Sequence, residues 1–326
     1  MTQYISLQQA ADRLRRAEDI LLLAHQYPDG DTLGSNYALC LALRSMGKRA
    51  RVLCGDPIPP RYDYMTALVA ADDFTPAYIC TIDVADPKLL GPTLQEQYGH
   101  QVDLCIDHHS TNVGYARYSC VDGHCAAAAM LVWRLIRLLG VTPTPAMATC
   151  VYTGIATDTG CFKYACTEAE THRIAAECMD LGIPADMINR VNFDMKSRAR
   201  IDLERMALEG MEFLHNGRVA VMTITNDMIR QSGAIENDME GLTPIPRQIE
   251  DVWVGITLRQ KADGGYKVSV RTGTHADAAA ICVLLGGGGH IHAAGCTIDS
   301  DDRKTARDMV LHAVEKAIPR LLEDPN

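Results

Sequence analysis

Four short sets of acidic and histidine side chains are the part of this sequence that could do chemistry. They are His25, Asp29 and Asp31 at residues 25–31, then Asp83, then the triplet Asp107, His108 and His109, and finally Asp158. Carboxylates and imidazoles are common ligands of divalent metals in proteins. The pattern therefore indicates a metal site, with two acids of one short loop available to two different ions.

Each set also has a structural explanation when it is taken alone. The Pro-Asp-Gly sequence at 28–30 is a common turn, and Asp31 could cap the helix that follows. An acid at a strand end, such as Asp83, often forms a turn or a cap. Asp158 lies among small and apolar residues, where a buried acid needs a metal or a hydrogen-bond network. The metal hypothesis depends on the four sets occurring together.

The elements that must position these side chains alternate between strands and helices in the first half of the chain. Residues 20–24 form a continuous apolar run that is typical of a buried parallel strand. Further predicted strands are 49–53, 78–82 and 102–106, and predicted helices are 33–46, 126–139 and 146–157. This alternation predicts an α/β fold with a doubly wound, mostly parallel sheet. Ligands bind at the carboxyl ends of such strands, where the first three sets lie.

The second half of the chain predicts a smaller α/β domain. After helices at 168–181 and 185–212, the predicted strands are 218–225, 252–259, 266–271 and 296–298, and the predicted helices are 276–285 and 302–322. The Asp-Gly-Gly sequence at 263–265 is typical of a hairpin turn. We predict a metal-binding catalytic domain at 1–190, a connecting helix or linker at 191–217, and a substrate-binding domain at 218–326.

The second domain carries candidate binding residues of its own. A run of four glycines allows backbone N–H groups to approach a phosphate closely, an arginine can grip it bidentately, and a histidine can donate to it. The alternative is a tight turn between helix and strand with a structural histidine. The candidate residues are Ser269, Arg271, Gly287, Gly288, Gly289 and His290.

Composition limits the classes of partner and compartment. The 41 acidic and 31 basic residues give a formal net charge of −10, which disfavours binding to long duplex DNA. The 12 cysteines contain no CxxC pair, so free thiols in a reducing compartment are expected rather than a zinc site. Neither a leader segment nor a bilayer-spanning run is evident, so we expect a cytoplasmic protein without a membrane partner. A homodimer is left open.

The order of these motifs resembles that of the DHH phosphoesterase superfamily. The first half contains Pro-Asp-Gly-Asp-x-x-Gly-Ser at 28–35, the DHH triplet at 107–109, and Gly-Ile-x-Thr-Asp-Thr-Gly-x-Phe at 154–162. The second half contains Ser-Val-Arg at 269–271 and a glycine-rich segment at 286–295, which resemble the DHH-associated C-terminal domain. Ile291 and His292 depart from the basic residues that often follow in this segment. The resemblance spans essentially the whole chain.

The resemblance implies a pair of divalent ions, with manganese expected and magnesium or cobalt as alternatives. The implied ligands of one ion are His25, Asp29 and Asp83. The implied ligands of the second ion are Asp31, Asp83, His108 and Asp158. Asp83 would then bridge the two ions, and hydroxide formed between them would attack phosphorus.

The remaining site residues receive roles from the same resemblance. His109, free of metal, would stabilise charge on the phosphoryl oxygens or the leaving group, and Asp107 would orient a histidine. The candidate residues of the second domain would hold the far end of the substrate, with the active site in the cleft between the domains.

Within the superfamily, the chain looks closest to the branch of oligoribonucleases that also act as 3′-phosphoadenosine-5′-phosphate phosphatases. This implies hydrolysis of short RNA and dinucleotides to mononucleotides, and of 3′-phosphoadenosine 5′-phosphate to AMP. Three alternatives stay open at this point. They are a cyclic-dinucleotide phosphodiesterase, a pyrophosphatase or exopolyphosphatase that uses the same metals, and a non-catalytic nucleotide-binding protein.

Overall fold

The structure, a computed structural model, describes residues 2–239 and 241–321 and divides the chain into two compact units. The first unit is Met1–Met195 and the second is Lys196–Asn326. The division falls within residues 191–217, the segment that the sequence predicts to connect two domains. Within the described residues, no helix combines the length and the apolar character needed to cross a bilayer.

The first unit is built from six strands with helices between them. The strands are β1 (Gln3–Tyr4), β2 (Ile20–Leu23), β3 (Ala50–Leu53), β4 (Tyr78–Ile82), β5 (Leu104–Asp107) and β6 (Tyr118–Val121). The helices are α1 (Leu7–Arg16), α2 (Gly30–Ser45), α3 (Asp63–Thr66), α4 (Pro92–Tyr98), α5 (Ala128–Leu138), α6 (Pro145–Asp158), α7 (Ala169–Asp180) and α8 (Ala185–Asn189). Short 3₁₀ turns occur at Pro60–Tyr62 and Pro87–Leu90, and a π-helical turn occurs at Arg190–Asp194.

The strands of the first unit form one parallel sheet in the order β1-β6-β5-β4-β2-β3. From β2, the chain first adds β3 on one side and then β4, β5 and β6 on the other. The direction of winding therefore reverses between β2 and β4, and the loops after these strands diverge there to leave a crevice. The prediction of a doubly wound, mostly parallel sheet is confirmed.

The central strand β2 explains why this sheet is parallel. All four of its side chains are fully buried, with Ile20 and Leu22 packed in one apolar cluster and Leu21 and Leu23 in another. Successive side chains of a strand point to opposite faces, so both faces of the sheet are covered. The only polar groups that the strand can present lie at its ends, and the segment that follows it carries His25.

Two glycines allow α2 and α6 to pack in close contact. A Cβ atom at Gly34 would lie 2.3 Å from the carbonyl oxygen of Cys150, and one at Gly154 would lie 2.7 Å from Oδ1 of Asp31. Any larger residue at either position would separate the helices. The close approach brings Asp31, near the start of α2, to the helix that ends at Asp158.

The second unit is a six-stranded sheet of mixed direction. Its strands are β7 (Glu212–Leu214), β8 (Val219–Ile224), β9 (Val254–Gln260), β10 (Tyr266–Thr272), β11 (Gly288–His290) and β12 (Ala293–Ile298). Its helices are α9 (Arg198–Glu209), α10 (Asn226–Ser232), α11 (Ala278–Val283) and α12 (Arg303–Ala317), with 3₁₀ turns at Glu236–Met239, Ile245–Gln248 and Pro319–Leu321. The strand order is β11-β12-β10-β9-β8-β7, and only β8 and β9 pair in parallel.

Alternation along β10 sorts its side chains onto two faces. Val268 and Val270 are buried in a cluster with α11 and α12, whereas Lys267, Ser269 and Arg271 occupy the opposite face. We call this opposite face the Arg271 face. On β8 the same face is covered by α9, because Leu203 and Ala207 of that helix pack with Met222 and Ile224.

Several predicted elements differ from the structure. The helix predicted at 185–212 is wrong, because α8, the π-helical turn and α9 share this segment. The Asn192 side chain donates to the carbonyl of Ile188 at 2.8 Å, a bond that distorts a helix, and Ser197 then caps the start of α9. The glycine run forms β11 rather than only a turn, and the strand predicted at 296–298 starts earlier.

The remaining differences concern element ends and short strands. The helix predicted at 302–322 ends at Ala317, and its last predicted residue lies outside the described residues. The short strands β1, β6 and β7 were not predicted. Two residues in β1 and three in β7 give too little periodicity, and β6 is as long as β2 but includes a serine and so lacks its continuous apolar run. The hairpin around 263–265 is confirmed by the antiparallel pairing of β9 with β10.

Close packing of α2 on α6 predicts that Gly34→Ala destabilises the first unit. The added methyl would meet backbone atoms that cannot rotate away, so we expect the free energy of unfolding to fall by about 1–3 kcal/mol despite the better helix propensity of alanine. Urea unfolding would be followed by the fluorescence of Trp133 in a Trp253→Phe background, so that only the first unit is observed.

Glu96→Ala is the control for this experiment, because Glu96 is an exposed residue of α4 in the same unit as Trp133. It should unfold at nearly the same urea concentration as the parent. If Gly34→Ala unfolds at the same urea concentration as Glu96→Ala, the helices are not packed as tightly as described.

Candidate metal centre

The six residues predicted as metal ligands come together at the carboxyl ends of β2, β4 and β5. Two groups of three residues each bring their ligand atoms within 4.8 Å of one another. One group is His25, Asp29 and Asp83, and the other is Asp31, His108 and Asp158. The first three sets follow adjacent strands at the point where the winding reverses, and α6 delivers the fourth. The sheet topology therefore assembles residues that are 133 positions apart in sequence, from 25 to 158.

His25 is held so that one ring nitrogen faces the acids. Its Nδ1 lies 2.7 Å from the carbonyl oxygen of Gln26, which can only accept, so Nδ1 carries the proton. Nε2 lies 3.7 Å from Oδ1 of Asp29 and 3.6 Å from Oδ2 of Asp83. These separations are too long for good hydrogen bonds, and they leave the Nε2 lone pair available to an ion that both carboxylates could share.

His108 repeats this arrangement on the other side of Asp83. Its Nδ1 donates to the carbonyl oxygen of Cys125 at 3.1 Å. Its Nε2 lies 3.8 Å from Asp31, 3.4 Å from Asp83 and 3.2 Å from Asp158, and it is buried without a hydrogen-bond partner among the described residues. A buried polar nitrogen aimed at three carboxylates is the arrangement expected of a metal ligand.

Asp83 lies between the two histidines. Its Oδ2 faces His25, and its Oδ1 faces His108 and has no hydrogen-bond partner within the described part of the chain. Its side chain is 4% exposed, and its backbone adopts a left-handed conformation with φ of 63°. Such a conformation is costly for most residues with a side chain, and aspartate is among those that tolerate it best. The geometry fits a carboxylate that bridges two ions.

Asp31 and Asp29 are each fixed by a helix N-terminus. The fully buried carboxylate of Asp31 accepts from the backbone N–H groups of Ala128 at 2.6 Å and Ala129 at 2.9 Å, and from the Ser35 hydroxyl at 3.2 Å. It therefore caps α5, whose own N-cap residue is an alanine. Asp29 is the N-cap of α2 and accepts from the backbone N–H groups of Asp31 at 3.0 Å and Thr32 at 3.1 Å.

The charges of the cluster shift the pKa values of its members strongly. Burial and the charge of Asp83 raise the pKa of Asp31 to about 7, and burial and the charge of Asp31 raise the pKa of Asp158 to about 9. Burial alone would lower the pKa of both histidines, but the surrounding carboxylates outweigh it, giving about 11 for His25 and about 10 for His108. Acids this close together need positive charge, which a divalent cation can supply.

Asp107 and His109 form a separate pair beside the cluster. The fully buried Asp107 accepts from Nδ1 of His109 at 2.8 Å through Oδ1, and from the Asn112 amide at 2.6 Å through Oδ2. Burial opposes ionisation of Asp107, but these bonds outweigh it and lower its pKa, while Asp107 raises the pKa of His109. His109 also lies near Asp83 and His108, but the nitrogen that faces Asp83 is the one bonded to Asp107.

Several residues that support the site were missed by the analysis of the sequence. Asn112 gave no signal, because its role depends on a loop conformation. The backbone groups of Gln26 and Cys125, which orient the histidines, are invisible to any reasoning about side chains. One signal was present: the alanine run at 126–129 starts α5 without a capping side chain, which indicates that the cap must come from elsewhere.

The candidate residues of the second unit also lie together. In the pairing of strands, Arg271 is opposite Ala293, which is opposite His290, and Ser269 is opposite Gly295, which is opposite Gly288. Residues directly opposite one another point to the same face, so these side chains share the Arg271 face.

The space that a side chain would find differs among the glycines of this segment. A Cβ at Gly287 would lie 2.2 Å from the Gly295 carbonyl, and one at Gly289 would lie 2.6 Å from backbone atoms of β12. At Gly288 a Cβ would meet nothing within 4 Å, and its φ is not positive. No packing constraint within the described residues therefore accounts for glycine at Gly288. A binding role for the segment stays a prediction.

Parallel sheets with acids and histidines at the strand ends are typical of metal-dependent hydrolases. Comparison with known proteins narrows the class. Residues 19–155 match the DHH family, N-terminal domain. Over 319 residues the chain is 34% identical to the bifunctional oligoribonuclease and PAP phosphatase NrnA of Thermus thermophilus, with 95% of this chain and 94% of the relative covered. The chain therefore belongs to the DHH family of phosphoesterases, as its motifs predicted.

Solved structures agree with this fold. An exopolyphosphatase-related protein from Bacteroides fragilis superposes with a TM-score of 0.84 at 26% identity, with 97% of each chain covered. The RecJ protein of Thermus thermophilus in complex with Mn²⁺ superposes with a TM-score of 0.54 at 16% identity, covering 95% of this chain and 55% of that one. At that identity the second likeness concerns the fold alone.

The position of Asp83 between His25 and His108 predicts how substitutions affect metal binding. Asp83→Asn should reduce the bound manganese from two ions per chain to none at an ion concentration that saturates the parent, because both ions lose a ligand. Asp29→Asn and Asp158→Asn should each lose one. Plasma mass spectrometry of dialysed protein measures the ratio, and the exposed Asp63→Asn is the control. A full pair of ions in Asp83→Asn would show that Asp83 does not bridge.

The hydrogen bonds from Asn112 to Asp107 and from His109 to Asp107 predict that Asn112 helps to position His109. Asn112→Ala should lower kcat for bis(p-nitrophenyl) phosphate with manganese by about 10-fold, while KM changes by less than about 2-fold. Gln97→Ala is the control, because it also removes a side-chain amide, but one that donates to the hydroxyl of Tyr98 and not to Asp107. Equal kcat values in the two variants would show that Asn112 contributes nothing to the placement of His109.

Proposed function

We propose that this chain is a phosphoesterase that uses two divalent ions to hydrolyse short oligoribonucleotides and dinucleotides to mononucleotides, and 3′-phosphoadenosine 5′-phosphate to AMP. The observation that carries the metal part is the pair of ligand groups on either side of Asp83. The substrate part is supported by the relative from Thermus thermophilus, an oligoribonuclease and PAP phosphatase that matches along nearly the whole chain.

The residues that would hold the ions are those that the geometry gathers. His25, Asp29 and Asp83 would hold one ion, and Asp31, Asp83, His108 and Asp158 would hold the other. Manganese is the expected ion, with magnesium or cobalt as alternatives. Such a pair supplies Lewis-acid activation of water and of the phosphoryl oxygens.

His109 would act on the substrate directly. Asp107 fixes the proton of His109 on Nδ1 and raises the pKa of the ring, so that the second nitrogen can also carry a proton. The side chain is 44% exposed, so it is accessible from solvent beside the cluster. We infer that this nitrogen donates to a phosphoryl oxygen or to the leaving oxygen as the P–O bond breaks. Asp107 is then a positioning residue, since its own oxygens are occupied.

The proposed reaction predicts a simple product. One 5′-phosphorylated diadenylate and one water should give two AMP when the protein is incubated with manganese, and 3′-phosphoadenosine 5′-phosphate should give one AMP and one phosphate. Liquid chromatography of the products measures both. His108→Ala is the inactive control and should lower the rate by at least about 1000-fold. It removes the imidazole that would bind metal together with the carboxylates of Asp31, Asp83 and Asp158.

Two other outcomes would replace this proposal. The structural likeness to an exopolyphosphatase-related protein favours inorganic polyphosphate or pyrophosphate as the second candidate substrate. Release of phosphate from these compounds with no AMP from the diadenylate would establish that alternative. Tight binding of the diadenylate without turnover in excess manganese would instead indicate a nucleotide-binding protein.

A further inference from the structure

A second arginine lies on the Arg271 face of the C-terminal sheet. Arg247 belongs to the 3₁₀ turn Ile245–Gln248, which crosses the sheet over β9. The hydroxyl of Thr257 donates to the carbonyl of Thr243 at 3.2 Å, which fixes the segment before this turn on the sheet. Thr257 pairs with Ser269 in the register of β9 and β10, so the segment lies on the same face as Ser269 and Arg271.

Two glycines make room for Arg247 beside Arg271. Gly255 is the residue directly opposite Arg271, and a Cβ there would lie 2.5 Å from the backbone nitrogen of Arg247. A Cβ at Gly273 would lie 2.3 Å from Nη2 and 3.0 Å from Cζ of Arg247. The guanidinium of Arg247 therefore rests on the backbone of Gly273. Gly273 is two residues beyond Arg271, or about 7 Å along the strand.

Neither of these two arginines is neutralised within residues 2–239 and 241–321. The Nε of Arg247 is buried without a hydrogen-bond partner, and its guanidinium forms no ion pair with any residue that the structure describes. Among the residues placed in the structure, Arg271 donates only to the carbonyl of its own neighbour Val270, at 3.2 Å. By contrast, Arg259, which occupies the same face further along β9, is held by both carboxylate oxygens of Glu236.

Two arginines on one face of a sheet without counter-ions repel each other, and a buried N–H without a partner is costly. An anion that accepts from both would remove both penalties. The guanidinium of Arg247 lies at Gly273, about 7 Å along the strand from the backbone of Arg271, so an anion that reaches both arginines can be as small as a single phosphate group.

We propose that Arg247 acts with Arg271 as a two-arginine site for the terminal 5′-phosphate of the substrate, and that this site selects phosphate monoesters over diesters. The inference rests on the proposed function. A 5′-phosphorylated dinucleotide and 3′-phosphoadenosine 5′-phosphate share a terminal 5′-phosphate on the nucleoside whose 3′-oxygen bears the phosphorus to be attacked. A cyclic dinucleotide has no terminal phosphate. A monoester carries nearly two negative charges at neutral pH and a diester carries one, so two guanidiniums favour the monoester.

The test compares diadenylate with and without its 5′-phosphate. For the phosphorylated compound, Arg247→Ala should lower kcat/KM by roughly 10- to 100-fold, the effect expected of a lost charge-assisted contact. For the compound without the phosphate, the change should be less than about 3-fold. Arg247→Lys should recover only part of the loss, because lysine keeps the charge but not the fork of donors. Arg271→Ala should show the same dependence on the 5′-phosphate.

Arg230→Ala is the matched control, since Arg230 is an exposed arginine of the same unit that forms an ion pair with Asp227. If Arg247→Ala behaves like this control on the phosphorylated compound, Arg247 does not bind the phosphate. An equal loss on both compounds, or a lowered melting temperature that accounts for the loss, would also overturn the proposal.

A separate measurement keeps this inference distinct from the proposed function. If the parent hydrolyses neither compound, the proposed function fails, and binding of AMP and of adenosine to metal-free protein decides the arginine site alone. Calorimetry should then show AMP bound at least about 10-fold more tightly than adenosine by the parent, and no such preference in Arg247→Ala. Equal preference for AMP in both proteins would refute the site.

Discussion

The constraint on which the catalytic unit depends is the mutual repulsion of its carboxylates. Asp29, Asp31, Asp83 and Asp158 converge within a few ångströms of two imidazoles, and burial makes each charge more costly. Hydrogen-bond donors fix two of the four acids in place. Backbone amides at helix N-termini donate to Asp29 and Asp31, and the Ser35 hydroxyl also donates to Asp31. Because helix N-termini carry partial positive charge, they also offset part of the repulsion.

The histidines are constrained in the same manner, by backbone rather than by side chains. Carbonyls of Gln26 and Cys125 select one tautomer of His25 and His108 and aim the other nitrogen inward. Rotating either ring would break a bond to rigid backbone, so the ligand positions are set before any ion arrives. This preorganisation reduces the cost of assembling a metal site.

The sequence was sufficient to predict the parallel sheet, the family and the set of residues that gather at the strand ends. Continuous apolar runs without polar alternation, such as residues 20–24, indicate buried strands, and polar residues directly after them mark the edge of the sheet. What could not be predicted depends on contacts between distant backbone segments. The capping of α5 by Asp31, the bond from Asn112 to Asp107 and the position of Arg247 over Gly255 and Gly273 are of this kind. The break near residue 190 was missed because Asn192 is weak evidence against a helix until its side chain is seen to bond backbone.

The capping of α5 by Asp31 has a consequence for how this protein can evolve. Active-site residues are commonly replaced with a gain in stability, which is the route by which enzymes decay into binding proteins. Asp31 does not offer that route, because the carboxylate that would bind metal also satisfies the first amides of α5. A descendant that lost catalysis by changing Asp31 would lose helix stability in the same step. Descendants without activity should therefore retain this acid and lose a ligand such as His108 or Asp158 first, so that a surviving Asp31 is poor evidence of catalysis by itself.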